Sequence, residues 1–181
     1  MGKTIRAIGL MSGTSMDGID VALIETDGAD DVVRGPCATF AYEAAFRSDL
    51  AAAIAETRTL PDRVTRTPSL ARVEQDLTNR HADALAQFLQ RQGLTPGDIG
   101  IVGFHGHTVL HAPERRLTVQ IGDGAELARR SGIDVVYDLR AADCAAGGQG
   151  APLAPVYHRA LASKLPQRPL VLLNIGGVAN V

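Results

Sequence analysis

One twelve-residue run, Gly9-Leu-Met-Ser-Gly-Thr-Ser-Met-Asp-Gly-Ile-Asp20, constrains this chain more than any other. Glycines and hydroxyl residues at that density cannot continue a strand and read as a tight turn. Strand-like runs flank it at residues 5–10 and 19–25, and Thr26-Asp-Gly28 stops the second. Strand, glycine turn, strand predicts a β-hairpin at the start of the fold. The turn offers backbone N–H groups, hydroxyls at Ser12, Thr14 and Ser15, and carboxylates at Asp17 and Asp20. That set suits the phosphate tail of a metal-bound nucleotide, because glycines permit close approach while hydroxyls and amides donate to phosphate oxygens. It is not a Walker A loop, since no Gly-Lys-Ser/Thr follows. Nor is it a nucleophile elbow, since Asp17 stands where the second glycine should be. An ordinary Gly/Ser/Asp turn is the plain alternative.

Downstream, residues 38–42 supply a third strand. Ser48 is the expected N-cap of a helix through Leu50 and Ile54, with Asp49 in its first turn. Pro61 and Pro68 break the pattern, and Ser69 is expected to cap a longer helix with Leu70, Val73, Leu77, Leu85, Phe88 and Leu89 on its apolar stripe. Gly93 suits the end of that helix, and Pro96 forbids an early restart. Residues 99–104 read as a buried strand ending at His105, 117–121 and 133–137 as further strands, and 125–130 as a short helix closed by Gly132. Residues 156–165 look helical. Residues 170–175 read as a strand apolar on both faces, with a second glycine turn at Gly176-Gly177. Strands and helices alternating after a hairpin predict an α/β fold with a mixed sheet.

With 181 residues the chain makes one domain or one and a fraction. It is 45% hydrophobic and 21% charged, which excludes a disordered or collagen-like chain. Eighteen basic against twenty acidic residues give −2, with no basic stripe, so nucleic acid is not the expected partner. No run approaches the roughly 18–20 apolar residues of a membrane helix. The apolar run before Ser12 is too short for a signal peptide. Cys37 and Cys144 stand far apart and form no C-x-x-C, against a disulfide framework or a zinc site. A soluble protein of the reducing cytoplasm is expected.

Three of the five histidines, His105, His107 and His111, cluster at a strand end. No cysteine or clear carboxylate partner accompanies them, which disfavours a metal. Imidazoles delivered to a cleft edge suit sugar hydroxyls better. Gln120-Ile-Gly-Asp123 and Asp138-Leu-Arg140 also fall at strand ends, where α/β proteins place ligand contacts. A plain salt bridge between Asp138 and Arg140 is the alternative for that pair. Residues 141–155, rich in glycine, alanine and proline, form either a linker or a loop lining a site.

Five segments, GLMSGTSMDGID (9–20), GFHGHTVLH (103–111), VQIGDG (119–124), DVVYDLRAADCAAGGQGAPLAPVYH (134–158) and LLNIGGVANV (172–181), occur in an order that resembles the anhydro-N-acetylmuramic acid kinase family. The resemblance implies the fold of the sugar kinase, actin and Hsp70 superfamily, with two ribonuclease-H-like lobes holding nucleotide between them. Residues 1–145 would be the first lobe, and 146–181 a linker helix and the first strand of the second. Gly13, Thr14, Ser15, Met16, Asp17, Gly18, Ile19 and Asp20 would bind ATP with Mg²⁺, and residues 174–180 would form the corresponding turn of the other lobe. The His105, His107, Gln120 and Arg140 regions would hold the amino sugar 1,6-anhydro-N-acetylmuramic acid. The implied reaction phosphorylates that sugar and opens its anhydro bridge with water, giving N-acetylmuramic acid 6-phosphate in peptidoglycan recycling.

This sequence departs from the resembled pattern at two positions. Met11 stands where many superfamily members carry an aspartate, and His107 where the family usually has glutamine. The family chain is also roughly twice as long, and its catalytic aspartate would fall beyond Val181. Residues 1–181 alone are therefore expected to be inactive. A homodimer of the complete protein is compatible with the family. The rival reading is a catalytically inactive nucleotide-binding or assembly module. An acyltransfer enzyme using Ser12 or Ser15 fails for want of an elbow.

Overall fold

A computed structural model describes residues 3–167, 169–175 and 179–180. Strands β1 (Ile5–Ser12), β2 (Gly18–Thr26) and β3 (Val32–Ala41) form an antiparallel meander. The sheet then runs β3-β2-β1-β4-β5, with β6 also beside β4. Strand β4 (Ile101–Ala112) lies parallel to β1 and to β6 (Val135–Tyr137), and antiparallel to β5 (Leu117–Ile121). Val102 pairs with Val135 and His107 with Ile121, so β6 takes the first part of β4 and β5 the last. This six-stranded mixed sheet with helices is the α/β architecture expected of a ribonuclease-H-like, actin-type lobe.

Two helices join β3 to β4: α1 (Ala44–Ala55) and α2 (Pro68–Gln92). Along α2, Leu70, Val73, Leu77, Leu85, Phe88 and Leu89 are all buried, in one core with Ile8, Leu10, Ile19, Val21, Val102 and Phe104 of the sheet. Each such side chain stabilises the fold by about 1.5–3 kcal/mol over an exposed one. Gly93 ends α2 at φ 65°, where a side chain would be strained. Short helix α3 (Gly124–Ser131) starts on the Asp123 carboxylate, which accepts from Glu126 N, and ends at Gly132.

The caps of the first two helices differ from expectation. Helix α1 begins at Ala44 rather than Ser48, because Phe46 is itself buried and draws the chain into helix a turn earlier. Helix α2 is capped by Thr67, whose hydroxyl accepts from Leu70 N, and Pro68 is its first residue rather than a break, since proline there forfeits no hydrogen bond. Residues 141–155 are partly ordered into α4 (Ala141–Ala145), and α5 spans Ala154–Ser163. In the stretch 170–175 only β7 (Asn174–Ile175) is strand, paired with β8 (Ala179–Asn180). Leu170, Val171, Leu172 and Leu173 are exposed, and no described strand pairs with them. The turn expected at Gly176-Gly177 lies outside the described residues. No helix among them is long and apolar enough to cross a membrane.

Candidate functional site

Between β1 and β2 the chain turns through Gly13–Asp17, closed by Met16 N donating to Gly13 O at 3.0 Å. Met16 takes φ 52°. Ser15 Oγ donates to Asp17 Oδ1 at 2.6 Å, and that bond above all holds the Asp17 carboxyl below the usual carboxylate range. Asp20 accepts from Thr39 Oγ1 at 2.6 Å. Thr14, Ser15, Asp17 and Asp20 are exposed, whereas Gly18 and Ile19 are buried. The two glycines differ in what they leave open. A Cβ on Gly13 would meet nothing nearer than Ser15 Oγ at 3.6 Å, while one on Gly18 would collide with the Phe40 carbonyl oxygen. Gly18 is thus required by the close approach of β3, whereas Gly13 has room for a Cβ at ordinary contact distance.

Strand β4 does not end at His105 as expected but bulges there. Leu10 and Ser12 of β1 face Phe104 and His107, so three residues of β4 span two of β1. Gly106 makes this work at φ 64°, and a side chain on it would strike Ile121 O. The extra residue separates the two histidines. His107 is 1% exposed, and its Nδ1 lies 2.9 Å from Ser12 Oγ, which accepts from Tyr42 OH at 2.9 Å. Burial chiefly, with His105 nearby, pushes His107 down to about 4 against an opposing hydrogen bond to the Ser12 backbone. His105 instead faces Arg140, whose Nε and Nη2 lie 3.3 and 3.1 Å from its Nε2. Its Nδ1 lies 3.1 Å from Gly106 O and donates there, so Nε2 accepts from the guanidinium. Burial first, and Arg140 after it, hold His105 below the ordinary histidine range.

His105 lines two adjoining cavities of about 260 Å³ each. One runs from Met11, Ser12, Gly13 and Thr14 past His105 to Arg140, joining the glycine turn to two of the expected sugar contacts. The other holds Gln120 with Arg63, Arg66, Glu74, Tyr137 and Asp138. Gln120 Nε2 donates to Thr118 Oγ1 at 2.8 Å, and its buried Oε1 has no hydrogen-bond partner among the described residues. His107 lines neither cavity. Asp138 pairs with Arg63 rather than Arg140, and Arg140 Nη1 donates to Gly150 O at 2.7 Å.

Sequence reasoning missed Arg63, Arg66 and Glu74, which reach the cavity from the α1–α2 connection and from α2. The only signal of Arg63 and Arg66 was a run of charge in a segment read as a break, and Glu74 lay unmarked on the polar side of the long helix. It also missed Tyr42, whose partner Ser12 lies 30 positions away.

No group of three or more His, Cys, Asp or Glu suited to hold a metal ion occurs among the described residues. The turn nevertheless fits a magnesium–nucleotide phosphate tail, with Gly13 and Thr14 lining a cavity and exposed hydroxyls and carboxylates beside them. Mg²⁺ is commonly held by one or two carboxylates together with the phosphates themselves.

A family model described as anhydro-N-acetylmuramic acid kinase matches residues 5–181. Curated relatives of that name include those of Brucella canis, 55% identical over 179 residues, and Rhizobium etli, 55% over 177. For both, the match covers 97% of this chain and 48% of the relative. The relative from Agrobacterium fabrum is 50% identical, over 100% of this chain and 49% of its own. The chain thus spans about half the length of the curated relatives it matches. The chain belongs to the anhydro-N-acetylmuramic acid kinase family.

Proposed function

We propose that these residues form the nucleotide-and-sugar half of a kinase that converts 1,6-anhydro-N-acetylmuramic acid, ATP and water to N-acetylmuramic acid 6-phosphate and ADP. The reaction belongs to peptidoglycan recycling in the cytoplasm. In this reading residues 1–145 are the first lobe and 146–181 open the second. The observation that carries it is the shared cavity in which Gly13 and Thr14 meet His105 and Arg140.

The turn Gly13–Asp17 binds the phosphates through its backbone N–H groups and the exposed Thr14 hydroxyl, while the Ser15 hydroxyl holds Asp17 in place. Asp17 and Asp20 present the carboxylates for the accompanying cation. When bound, ATP supplies the phosphoryl group for the sugar O6 and Mg²⁺ neutralises phosphate charge. Neutral His105, fixed by Arg140, orients the sugar through hydrogen bonds, and Gln120 offers its unpartnered amide oxygen to a sugar hydroxyl or amide N–H. Orientation of this kind is a large part of phosphoryl-transfer catalysis. The base that activates water is assigned to a later segment, as the family resemblance implies.

The test is to incubate the full-length protein with ATP and the anhydro sugar and follow products by mass spectrometry. N-acetylmuramic acid 6-phosphate with one ADP per sugar is expected. No phosphosugar above the protein-free control would refute the kinase reading and favour a nucleotide-binding module.

A further inference from the structure

Tyr42 stands where β3 passes into α1, and it holds the glycine turn at both ends. Its backbone N donates to Asp17 O at 2.9 Å, immediately before Gly18. Its hydroxyl donates to Ser12 Oγ at 2.9 Å, immediately before Gly13. Ser12 Oγ also lies 2.9 Å from His107 Nδ1, so Tyr42, Ser12 and His107 form one hydrogen-bonded chain. All three side chains are buried. Phe46 meets the Tyr42 ring edge-on at 4.8 Å, and the Arg80 guanidinium lies 4.4 Å over Phe46, so the tyrosine is held from behind.

We propose that Tyr42 and His107 are positioning residues for the nucleotide: a buried clasp that sets where the turn offers its donors. The proposal rests on reading Gly13–Asp17 as the phosphate turn. Thr14, Ser15 and Asp17 of the turn are exposed, and one backbone bond, Met16 N to Gly13 O, closes it. Met16 packs against the core from within the turn, and Ser12 and Asp17 tie its two ends to Tyr42. Neither Tyr42 nor His107 lines the cavity beside the turn, so both act through Ser12 and the backbone. At position 107 glutamine keeps a hydrogen-bonding partner for Ser12, whereas an apolar residue does not.

The test compares Tyr42→Phe, His107→Leu and His107→Gln in the full-length enzyme, with Gly13→Val alongside. Tyr42→Phe and His107→Leu should each raise the ATP KM about three- to tenfold, the effect of one lost hydrogen bond. The sugar KM should stay within about twofold, and His107→Gln should return the ATP KM to near wild type. A merely structural role would lower thermal stability without separating the two KM values. Wild-type ATP KM in folded Tyr42→Phe and His107→Leu, with a raised value in Gly13→Val, overturns the clasp and leaves the phosphate turn standing. An unchanged ATP KM in Gly13→Val as well overturns the phosphate-turn reading and the clasp with it. Should His107→Leu fail to fold, Tyr42→Phe decides, since it deletes only one hydroxyl and keeps the ring in the core.

Discussion

Acid should destabilise this protein chiefly through two fully buried imidazoles, with the part-buried His105 acting in the same direction, and His107→Gln should remove the share that belongs to one of them. His81 is 0% and His107 1% exposed, and burial is the main cause that holds each at about 4 against an ordinary 6.5. The folded values are depressed, so the stability these groups contribute is complete above about 6.5 and lost as pH falls toward 4. In that window the unfolded chain binds a proton at each position and the folded chain does not. From pH 7 to pH 5 the loss is roughly 2 kcal/mol per histidine, so roughly 4 kcal/mol for the pair. Glutamine at 107 keeps a hydrogen-bonding partner for Ser12 and cannot titrate. His81 stays largely as it was, since its shift comes first from its own burial and only secondarily from His107. The exposed carboxylates held low, such as Asp17 and Asp27, start from 3.8 and act below this window.

The assay is urea unfolding of the full-length wild type and His107→Gln at pH 7 and pH 5, with imidazole NMR titration of His107. The variant should lose roughly 2 kcal/mol less than wild type between the two pH values. Equal losses, or a His107 ring titrating near 6.5, would refute the reasoning.

Gly18→Ala should cost about 1–3 kcal/mol of stability, because the new methyl meets the Phe40 carbonyl, and thermal unfolding would register it. Gly106→Ala should cost at least as much, since it adds a left-handed φ of 64° to a collision with Ile121 O, and a stability equal to wild type would contradict the bulge. Arg140→Met should raise the sugar KM about tenfold and leave the ATP KM near wild type, because His105 loses the charged donor that orients it. Steady-state kinetics varying each substrate in turn would separate the two.

The hairpin, the α2 stripe and the β5 strand were legible because each is written in local periodicity or in glycine spacing. The glycine turn and its flanking strands were readable for the same reason. What local pattern could not convey was the bulge in β4. His105-Gly-His107 looks like a strand end with two equivalent imidazoles, and only the pairing of Leu10 with Phe104 and Ser12 with His107 separates them. Helix starts were also misplaced. Ser48 and Ser69 are good caps by residue type, but burial of Phe46 and the fit of Pro68 at a first helical position decided the boundaries. Contacts across long sequence distances, Arg63 with Asp138 and Tyr42 with Ser12, follow from topology and leave no trace in composition.

The central claim is that the turn after β1 receives ATP phosphates, and Gly13→Val tests it most directly. The position tolerates a side chain in the folded protein, because nothing lies nearer its Cβ than Ser15 Oγ at 3.6 Å. A valine there should therefore leave thermal stability near wild type while its branches occupy the space beside the turn's donors. Measured in the full-length enzyme with saturating sugar, the account predicts a rise in ATP KM of at least about tenfold, or loss of turnover, the effect of losing roughly 1.4 kcal/mol or more of nucleotide binding. A folded Gly13→Val enzyme with wild-type ATP kinetics would contradict it.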